Sequence, residues 1–158
     1  MAHIIREYTN HDVDGIKQCL IELQDFERMM DPHRLEGIKI AHEYLEHLLE
    51  VCEAGRGKIF VVEIDGNIVG MVSVYIEEDK KHFRKARKFA LISDLIVMQE
   101  YKDQGIIKEL LGKTEEYAKS KQVTSLHAPI LKGHDESVNG YLRNGFKEFE
   151  IVVRKQIE

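Results

Sequence analysis

The sequence predicts a mixed α/β fold, in which a largely antiparallel sheet of about six or seven strands carries four helices on its two faces. Apolar residues recur at helical spacing in separate stretches of the chain. In the middle, two β-branched runs are joined by a tight-turn sequence, which predicts a hairpin. Farther on, a strand, a helix and a strand follow one another, which predicts a βαβ unit. The predicted order is β α α β β β α β α β.

The first third of the chain predicts a strand and two helices. His3 to Tyr8 form a short strand, and Thr9, Asn10 and Asp12 supply oxygens suited to capping a helix. One helical face then consists of Val13, Ile16, Leu20, Leu23, Phe26 and Met30. A second helical face precedes Gly55, where a left-handed cap can end the helix; it consists of Ile38, Ala41, Leu45, Leu48 and Cys52.

The middle of the chain has the character of strands. Lys58 to Ile64 and Ile68 to Ile76 flank the turn sequence Asp65-Gly66-Asn67, which predicts a hairpin. A basic stretch from Lys80 to Lys88 leads into another strand, Phe89 to Val97. We expect the basic stretch to be a solvated hairpin tip, and a phosphate or nucleic-acid contact is the alternative.

The last third of the chain predicts helices alternating with strands. Gly105 to Ser120 carries a helical face made of Ile107, Leu110, Leu111, Thr114 and Ala118. Val123 to Leu131 is apolar enough for a buried strand. A short helix from about Asp135 to Asn144 then leads to a last strand, Phe146 to Lys155.

The composition fits one globular domain, which we expect residues 1–158 to form. The start of the chain lacks a signal-peptide core and no apolar run is long enough to span a membrane, so we expect a cytoplasmic protein without a membrane partner. The formal charge of −5 makes a nucleic-acid partner unlikely and mildly favours cationic substrates. Cys19 and Cys52 fall on apolar helical faces, where a thiol behaves as a small hydrophobe.

Few residue patterns suggest metal or nucleophilic chemistry. The eight histidines do not fall in metal-ligand spacings, and His42 and His47 lie five positions apart, on different faces of a helix. No serine or cysteine nucleophile motif is present, and we expect no metal. One acidic and aromatic group either lines an amine site or forms a solvated helix face, and consists of Glu22, Asp25, Phe26 and Glu27.

The turn after Val97 has the features of an anion site. A buried strand that feeds a glycine turn and a helix start presents several unpaired amides together, and such amides bind phosphate. Lys102 adds a positive charge, and Gly105 lets a ligand approach the backbone closely. The alternative is that this glycine is an ordinary loop residue before a helix.

Two segments carry the motifs of a known family. The stretch DLIVMQEYKDQGIIKELL, from Asp94 to Leu111, resembles the acetyl-CoA-binding motif of the GNAT superfamily. The stretch YLRNGF, from Tyr141 to Phe146, resembles the Tyr-x-x-x-Gly-Phe of the same family. The Asp65-Gly66-Asn67 hairpin also resembles that of the family's second and third strands, so the likeness spans most of the chain.

The first motif departs from the usual pattern at three positions. Lys102 stands where Arg is usual, Gln99 where Pro is common, and Ile107 where a second Gly or Ala belongs. Lysine keeps the charge but loses the two-pronged guanidinium geometry. The branched side chain of Ile107 crowds a pyrophosphate unless it points into the core, which its spacing from Leu110 and Leu111 permits.

The resemblance implies an acetyl-CoA-dependent N-acetyltransferase, in which a neutral amine attacks the thioester directly and coenzyme A leaves as a thiolate. The coenzyme is expected in the gap between the strand ending at Val97 and the strand starting at Val123. The implied coenzyme-binding positions are Leu95, Ile96, Val97, Lys102, Asp103, Gln104, Gly105, Ile106 and Ile107.

Two residues are candidates for proton transfer. Tyr141 stands where many relatives have a tyrosine that donates a proton or a hydrogen bond to the departing sulfur; the alternative is a packing tyrosine with a satisfied hydroxyl. Asp94 is a carboxylate inside an apolar run, which is costly to bury unless it has partners or faces a cleft. A raised pKa would suit Asp94 to remove a proton from the amine; alternatively, it only hydrogen-bonds its neighbours.

The partners are less sharply predicted. The acceptor is expected to be a primary amine on a small molecule or a protein. A non-catalytic acyl-CoA-binding or sensor protein is the alternative function, motivated by Ile107 and by residues 133–135, where the family's usual asparagine is absent. A homodimer is compatible with the sequence, because an exposed final strand could pair with another chain.

Overall fold

The computed structural model describes residues 2–102 and 105–158 of the chain. Four α-helices and five strands are present in these ranges. In chain order they are β1 (Ile4–Glu7), α1 (Val13–Glu27), α2 (Gly37–Glu53), β2 (Gly57–Ile64), β3 (Asn67–Asp79), β4 (Arg87–Val97), α3 (Ile106–Ser120), β5 (Leu126–His127) and α4 (Asp135–Arg143). Two short 3₁₀ turns, Asn10–Asp12 and Gln99–Tyr101, precede α1 and follow β4.

The five strands form one sheet in the order β1-β2-β3-β4-β5. The first three pairings are antiparallel, and β4 pairs with β5 in parallel. The predicted turn at Asp65-Gly66 joins β2 to β3, with both residues at positive φ. The mixed, largely antiparallel sheet is therefore confirmed, and its one parallel pair is the βαβ unit around α3.

The helices cover both faces of the sheet. On one face α1 and α2 bury Ile16, Leu20, Leu45 and Leu48 against alternate residues of β2 and β3, which are Ile59, Val61 and Met71. On the other face α3 buries Ile106, Leu110 and Leu111 against Val62, Val72 and Val74. Because β2 and β3 are covered on both sides, their sequences read as nearly continuous apolar runs.

The α1–α2 connection differs from the predicted helix in one respect. The apolar spacing extends to Met30, but α1 ends at Glu27 and α2 begins at Gly37. The backbone amide of Gly37 donates to the Asp25 carboxylate at 2.7 Å, which ties the start of α2 to the end of α1.

The sheet has five strands rather than the six or seven predicted. The strand expected at Val123 to Leu131 shortens to Leu126–His127, because the chain then leaves β4 and continues through Pro129, which has no amide hydrogen to donate. The strand expected at Phe146 to Lys155 is absent, and its residues form no helix or strand. The backbone N–H and C=O groups of a strand need partners on a neighbouring strand of similar length. The two residues of β5 do not provide them for a strand from Phe146 to Lys155.

The basic stretch lies where a hairpin tip was predicted. Residues 80–86 connect β3 to β4, and acidic residues of β3 pair with the flanking cations. Arg87 contacts Asp79 at 3.0 Å and Lys80 contacts Glu78 at 3.7 Å. Within the described ranges, no helix combines the length and apolar character needed to cross a membrane.

Candidate active site

A cavity opens where β4 and β5 separate. The two strands pair only at Ala90 with Leu126 and at Leu91 with His127. Beyond this point the cavity lies between the second half of β4 and the segment that follows β5, and it is lined by Leu23, Glu27, Ile92, Ser93, Asp94, Leu95, Pro129, Ile130, Leu131, His134, Ser137 and Tyr141. Residues of α1 and α4, from opposite faces of the sheet, both reach it, so the gap between strands joins the two faces.

Asp94 is the buried carboxylate of this cavity, with 8% of its surface exposed. Its Oδ2 accepts hydrogen bonds from three hydroxyls: Ser73 at 2.6 Å, Tyr44 at 2.7 Å and Ser93 at 3.0 Å. Burial raises the pKa of Asp94, although the hydroxyl donors oppose the shift by favouring the charged form. All three bonds use Oδ2, which leaves Oδ1 as the oxygen available to a ligand.

A β-bulge in β4 arranges this hydroxyl cluster. In the register of β3 with β4, Ser73 pairs with Asp94 and Val74 pairs with Ile92, so Ser93 is the extra residue. The Ser93 and Ser73 hydroxyls lie 2.6 Å apart, and both contact the same carboxylate oxygen. The bulge therefore brings the side chains of two consecutive residues, Ser93 and Asp94, to one point beside the cavity.

Tyr141 reaches the cavity from α4. The residue is 7% exposed, and its ring packs edge-on against Phe146 with centroids 5.0 Å apart. Burial raises the pKa of Tyr141, and the charges of Asp94 and Glu27 raise it further. The phenol therefore stays protonated at neutral pH and is able to donate a proton or a hydrogen bond.

Glu27 is a second carboxylate in the cavity wall, contributed by the last residue of α1. Its Oε2 lies 3.1 Å from Nη1 of Arg34, a residue of the α1–α2 connection. Burial raises the pKa of Glu27, the nearby Arg34 charge opposes that shift, and the Asp94 charge adds to it. Glu22, Asp25, Phe26 and Glu27 were expected either to line an amine site or to form a solvated helix face. Of these four residues, Glu27 is in the cavity lining.

The α3 N-terminus lies at the end of β4, as the motif predicts. Gly105 adopts the left-handed conformation, with φ at 70°, and among the described residues, its chain neighbours aside, no atom lies within 4 Å of the position of an added Cβ. In an α-helix the first backbone amides have no partner within the helix, so the start of α3 offers unpaired donors beside Gly105. Asp103 and Gln104, which were also predicted to bind the coenzyme, lie outside the described residues.

The isoleucines of this turn pack into the protein. Ile106 is fully buried, and Ile107 is half-buried against the same apolar cluster, with its Cγ2 beside Gly140 of α4. Ile107 therefore points toward α4, which is the orientation that the spacing permits. Lys102 pairs with Glu136, also of α4, at 3.2 Å, so its charge lies beside the start of that helix.

The three β4 positions predicted to follow the coenzyme differ in orientation. Leu95 lines the cavity with its side chain. Ile96 packs toward α1 and α2. Val97 is buried on the other face of the sheet, and its partner in the β3–β4 register is Gly70. Contacts from Ile96 and Val97 to a ligand in the gap would therefore come from backbone groups.

Three site residues were missed by the sequence analysis: Tyr44, Ser73 and His134. Tyr44 lies on the buried face of α2, three residues after Ala41, and Ser73 is a lone hydroxyl inside an apolar strand. His134 caps α4 by accepting from the amide of Ser137 at 3.3 Å, and its ring contacts Phe26 with centroids 4.8 Å apart. For Tyr44 and Ser73, the sequence signal that could have identified them is a hydroxyl group within a stretch of buried apolar residues.

Within residues 2–102 and 105–158, no three histidine, cysteine, aspartate or glutamate side chains are grouped so that they could hold a metal ion. Cys19 is buried and Cys52 is half-buried, and both are free thiols. Burial raises the pKa of Cys19 to about 12 and that of Cys52 to about 11. Both therefore remain neutral thiols at neutral pH, which is consistent with packing roles.

Comparison by sequence gives one family and one curated relative. A model of the acetyltransferase (GNAT) family matches residues 22–146. An uncharacterized N-acetyltransferase of Methanocaldococcus jannaschii is 27% identical over 154 residues. The alignment covers 96% of this chain and 63% of the relative, so this chain spans less than two thirds of that protein.

Comparison by structure gives the same fold across nearly the whole chain. A mutant of a Bacillus halodurans protein has a TM-score of 0.82 at 15% identity, covering 98% of this chain and 99% of that one. The aminoglycoside N-acetyltransferase AAC(6')-Iy, in complex with a coenzyme A bisubstrate analogue, has a TM-score of 0.75 at 14% identity, covering 100% and 99%. A Clostridium acetobutylicum predicted acetyltransferase with acetyl-CoA has a TM-score of 0.75 at 12% identity, covering 98% and 96%. These identities are low, so the likeness establishes the fold alone.

Proposed function

This chain belongs to the acetyltransferase (GNAT) family, and we propose that it transfers an acetyl group from acetyl-CoA to a primary amine by direct attack in a ternary complex. One observation carries the proposal. The Asp94 carboxylate and the Tyr141 hydroxyl, a base and an acid by their surroundings, line the same cavity between diverging strands. The family's chemistry needs both, because the amine must lose a proton and the departing sulfur must gain one.

Asp94 is proposed to accept the proton of the incoming ammonium, directly or through water. Its raised pKa narrows the gap to the pKa of an amine, which favours proton transfer. The hydroxyls of Tyr44, Ser73 and Ser93 hold Oδ2, so the carboxylate is fixed in orientation before the amine arrives. The neutral amine then attacks the thioester carbonyl, the C–N bond forms and the C–S bond breaks.

Tyr141 is proposed to protonate the departing thiolate or to donate a hydrogen bond to it. The residue projects from α4 and lines the same cavity as Asp94, so a thioester held in this cavity is within the space that acid and base share. Because burial and two neighbouring carboxylates keep the phenol protonated, it is in the correct state when the C–S bond breaks. Starting from the ammonium, the nitrogen gives up two protons, one to Asp94 before the attack and one as the C–N bond forms. One of the two is balanced by the proton gained at the sulfur, and the other passes to solvent.

The residues present fit a coenzyme that supplies an activated acetyl thioester. A Cβ at Gly105 would meet no described residue within 4 Å beyond its chain neighbours, so a phosphate can approach the α3 N-terminus and accept from the helical amides there. Leu95, together with the backbone of Ile96 and Val97, borders the gap through which the pantetheine arm would reach Asp94. The proposed coenzyme positions in the turn are Lys102, Asp103, Gln104, Gly105, Ile106 and Ile107.

The acceptor is proposed to be a cationic amine, on a small molecule or on a protein. Two carboxylates, Asp94 and Glu27, line the cavity, and the chain carries a net charge of −5. Glu27 is held by Arg34 at 3.1 Å, and an acceptor ammonium can replace that guanidinium. One structural neighbour is an aminoglycoside N-acetyltransferase, whose substrates are amines, which supports this class without identifying the acceptor.

Calorimetric titration with acetyl-CoA tests the coenzyme site. Gly105→Trp places an indole in the open space before α3, and we expect it to abolish the binding shown by the unmodified protein. Gly55→Trp is the matched control, because Gly55 also has a positive φ and open space but lies at the opposite end of the sheet from Val97. If Gly105→Trp and Gly55→Trp bind acetyl-CoA equally well, the proposed phosphate site at the turn before α3 is wrong.

Release of free thiol from acetyl-CoA, measured with a panel of primary amines, tests catalysis. We expect turnover with at least one amine and a loss of about 10²-fold or more in kcat for Tyr141→Phe, because general acid catalysis contributes about 10²–10⁴-fold. Acetyl-CoA binding without turnover on any amine would favour the non-catalytic sensor instead.

A further inference from the structure

A second cavity lies at the start of β2. Its volume is about 260 Å³, and its wall includes residues of β1, α2, β2 and α3. Because α2 and α3 cover opposite faces of the sheet, a cavity that both helices line lies at the end of the sheet. Among the described residues, none borders both this cavity and the one at Asp94. The proposed acetyl transfer therefore does not account for it.

Tyr117 of α3 lines this second cavity and has an unpartnered hydroxyl. The residue is 5% exposed, and its buried hydroxyl has no hydrogen-bond partner within residues 2–102 and 105–158. Burial raises the pKa of Tyr117, and a charge on Cys52 raises it further, so the phenol lies near another lining residue. A buried hydroxyl is costly unless it is hydrogen-bonded. A ligand that accepts a hydrogen bond from Tyr117 would remove this cost.

The charged residues of the lining include both signs. Nζ of Lys58 lies 2.6 Å from Oε1 of Glu7, so these two charges neutralise each other within the protein. The other two charges are the Glu53 carboxylate and the Lys121 ammonium. Nζ of Lys121 lies 5.9 Å from the centre of the Tyr117 ring. A ligand that pairs with both remaining charges must therefore carry a positive and a negative group.

The size of the second cavity limits its ligand to a small molecule. The volume lies below the range of roughly 300–1,000 Å³ that is typical of sites for drug-sized ligands. Its uncharged side chains are those of Tyr8, Cys52 and Tyr117. Burial raises the pKa of Tyr8 and raises that of Cys52 to about 11, so both are neutral at neutral pH. A neutral wall with one free charge of each sign fits a small zwitterion.

We propose that the second cavity binds a free α-amino acid, with its carboxylate at Lys121 and the Tyr117 hydroxyl and its ammonium at Glu53. The carboxylate accepts a hydrogen bond from Tyr117, which gives the buried phenol a partner. Lys121 and Glu53 are exposed, so they hold the charged end of the amino acid near solvent. The site is separate from Asp94, and the proposal does not depend on the acetyltransferase reaction.

Amide NMR spectra of the full chain without acetyl-CoA test the site, with each of the common L-amino acids as a probe. We expect at least one amino acid to shift the amides of Cys52, Gly57 and Tyr117 in a saturable way and to leave the Asp94 amide unchanged. Its methyl ester lacks the carboxylate charge, and its N-acetyl form lacks the ammonium. Each derivative is expected to bind about threefold or more weakly, since an ion pair is lost.

Tyr117→Phe tests the role of the hydroxyl, because it removes that group alone. The dissociation constant of the amino acid is expected to rise about tenfold or more, since a hydrogen bond to a charged group is lost. The free energy of unfolding should not fall, because the hydroxyl gives up no partner in the described chain. Acetyl-CoA binding should also be unchanged, which separates this site from the coenzyme site.

Matched variants control for the loss of a hydroxyl or a charge elsewhere. Tyr75→Phe removes a hydroxyl from a half-buried tyrosine of β3 that is outside the lining, and we expect unchanged affinity for the amino acid. Lys121→Gln is expected to weaken binding about threefold or more. Lys119→Gln, two positions earlier and outside the lining, should leave binding unchanged.

Any of four results would overturn the proposal. The first is that no common L-amino acid shifts the amides around Tyr117 at millimolar concentration. The second is that the shifts occur only around Asp94, which would make the amino acid an acceptor for acetyl transfer and no more. The third is equal affinity in Tyr117→Phe and the unmodified chain, which would leave the hydroxyl to solvent. The fourth is equal binding of the methyl ester and N-acetyl forms, because the cavity would then not recognise a zwitterion.

Discussion

At the scale of single residues, the surroundings of a carboxylate decide what it can do. Asp94 and Asp12 are both buried aspartates, 8% and 5% exposed. Asp94 is held by neutral hydroxyls, so burial dominates and its pKa rises. Asp12 is held by the Arg6 guanidinium, at 2.7 Å and 3.0 Å from its two oxygens, and its pKa falls to about 2. The first is suited to exchange protons and the second to stabilise the fold.

The pH dependence of turnover provides a prediction for Asp94. A base must be deprotonated to act, so kcat/KM should rise as the pH rises through the pKa of Asp94, above the ordinary aspartate value of 3.8. Ser73→Ala removes a donor that lowers this pKa, so its acid limb is expected at higher pH. Asp94→Asn is expected to lower kcat/KM by about 10²–10⁴-fold, and its pH profile should no longer show the rise on the acid side. An unchanged limb in Asp94→Asn would assign the base elsewhere.

The free energy of unfolding provides a prediction for Asp12. Because its pKa is lowered by Arg6, its contribution to stability is fully present above the ordinary value of 3.8 and is lost as the pH falls toward about 2. Asp12→Asn is expected to lower the free energy of unfolding by about 1–3 kcal/mol at neutral pH. Urea unfolding across this pH range measures the difference, which should shrink toward acid pH. A constant difference would indicate a packing defect instead.

At the scale of elements, close contacts through glycine fix how helices meet. A Cβ at Gly37, the first residue of α2, would lie 2.5 Å from the backbone oxygen of Ile21 in α1. The oxygen belongs to the backbone of α1 and the Cβ position is fixed by the backbone of α2, so neither atom can move without shifting its helix. The spacing of α1 and α2 in turn positions Glu27 and Tyr44, which contact the cavity and Asp94.

Two glycine-to-alanine variants separate this contact from helix propensity. Gly37→Ala is expected to lower the free energy of unfolding by about 1–3 kcal/mol, because the methyl group overpacks the α1–α2 contact. Gly112→Ala is the matched control: Gly112 is also helical, nothing lies within 4 Å of its added Cβ, and alanine should raise stability by up to about 1 kcal/mol. Chemical denaturation measures both, and equal effects would refute the close contact.

At the scale of the whole molecule, the one parallel strand pair creates the site. Four strands pair over most of their lengths in antiparallel ladders, whereas β5 pairs with β4 at two residues and then departs. The departure opens the sheet between its two faces, so α1 and α4 contribute to one cavity. Two carboxylates, Asp94 and Glu27, line this cavity, and the chain as a whole carries a net charge of −5, so we expect it to attract cationic acceptors.

Ionic strength tests this long-range attraction. For a diamine acceptor, we expect KM to rise severalfold between about 0.01 M and 0.3 M salt with little change in kcat, because the screening length falls from about 30 Å to under 10 Å. An amino alcohol of the same length, with one charge fewer, should show a smaller rise. Glu27→Gln should reduce the difference between the two acceptors, and an equal salt dependence for both would count against charge recognition.

The sequence by itself determined the order of elements from β1 to α4, the hairpin at Asp65-Gly66 and the glycine turn before α3, because helical and strand periodicity and turn chemistry are local. It also identified Asp94 and Tyr141 as chemically distinctive residues. Only the tertiary structure decided which groups surround Asp94, since Tyr44 and Ser73 lie 50 and 21 positions away in the chain. It also decided that the predicted last strand pairs with no strand in the part of the chain that the structure describes. Strand pairing and side-chain contacts depend on what packing brings together across the chain, and local pattern carries no information about that.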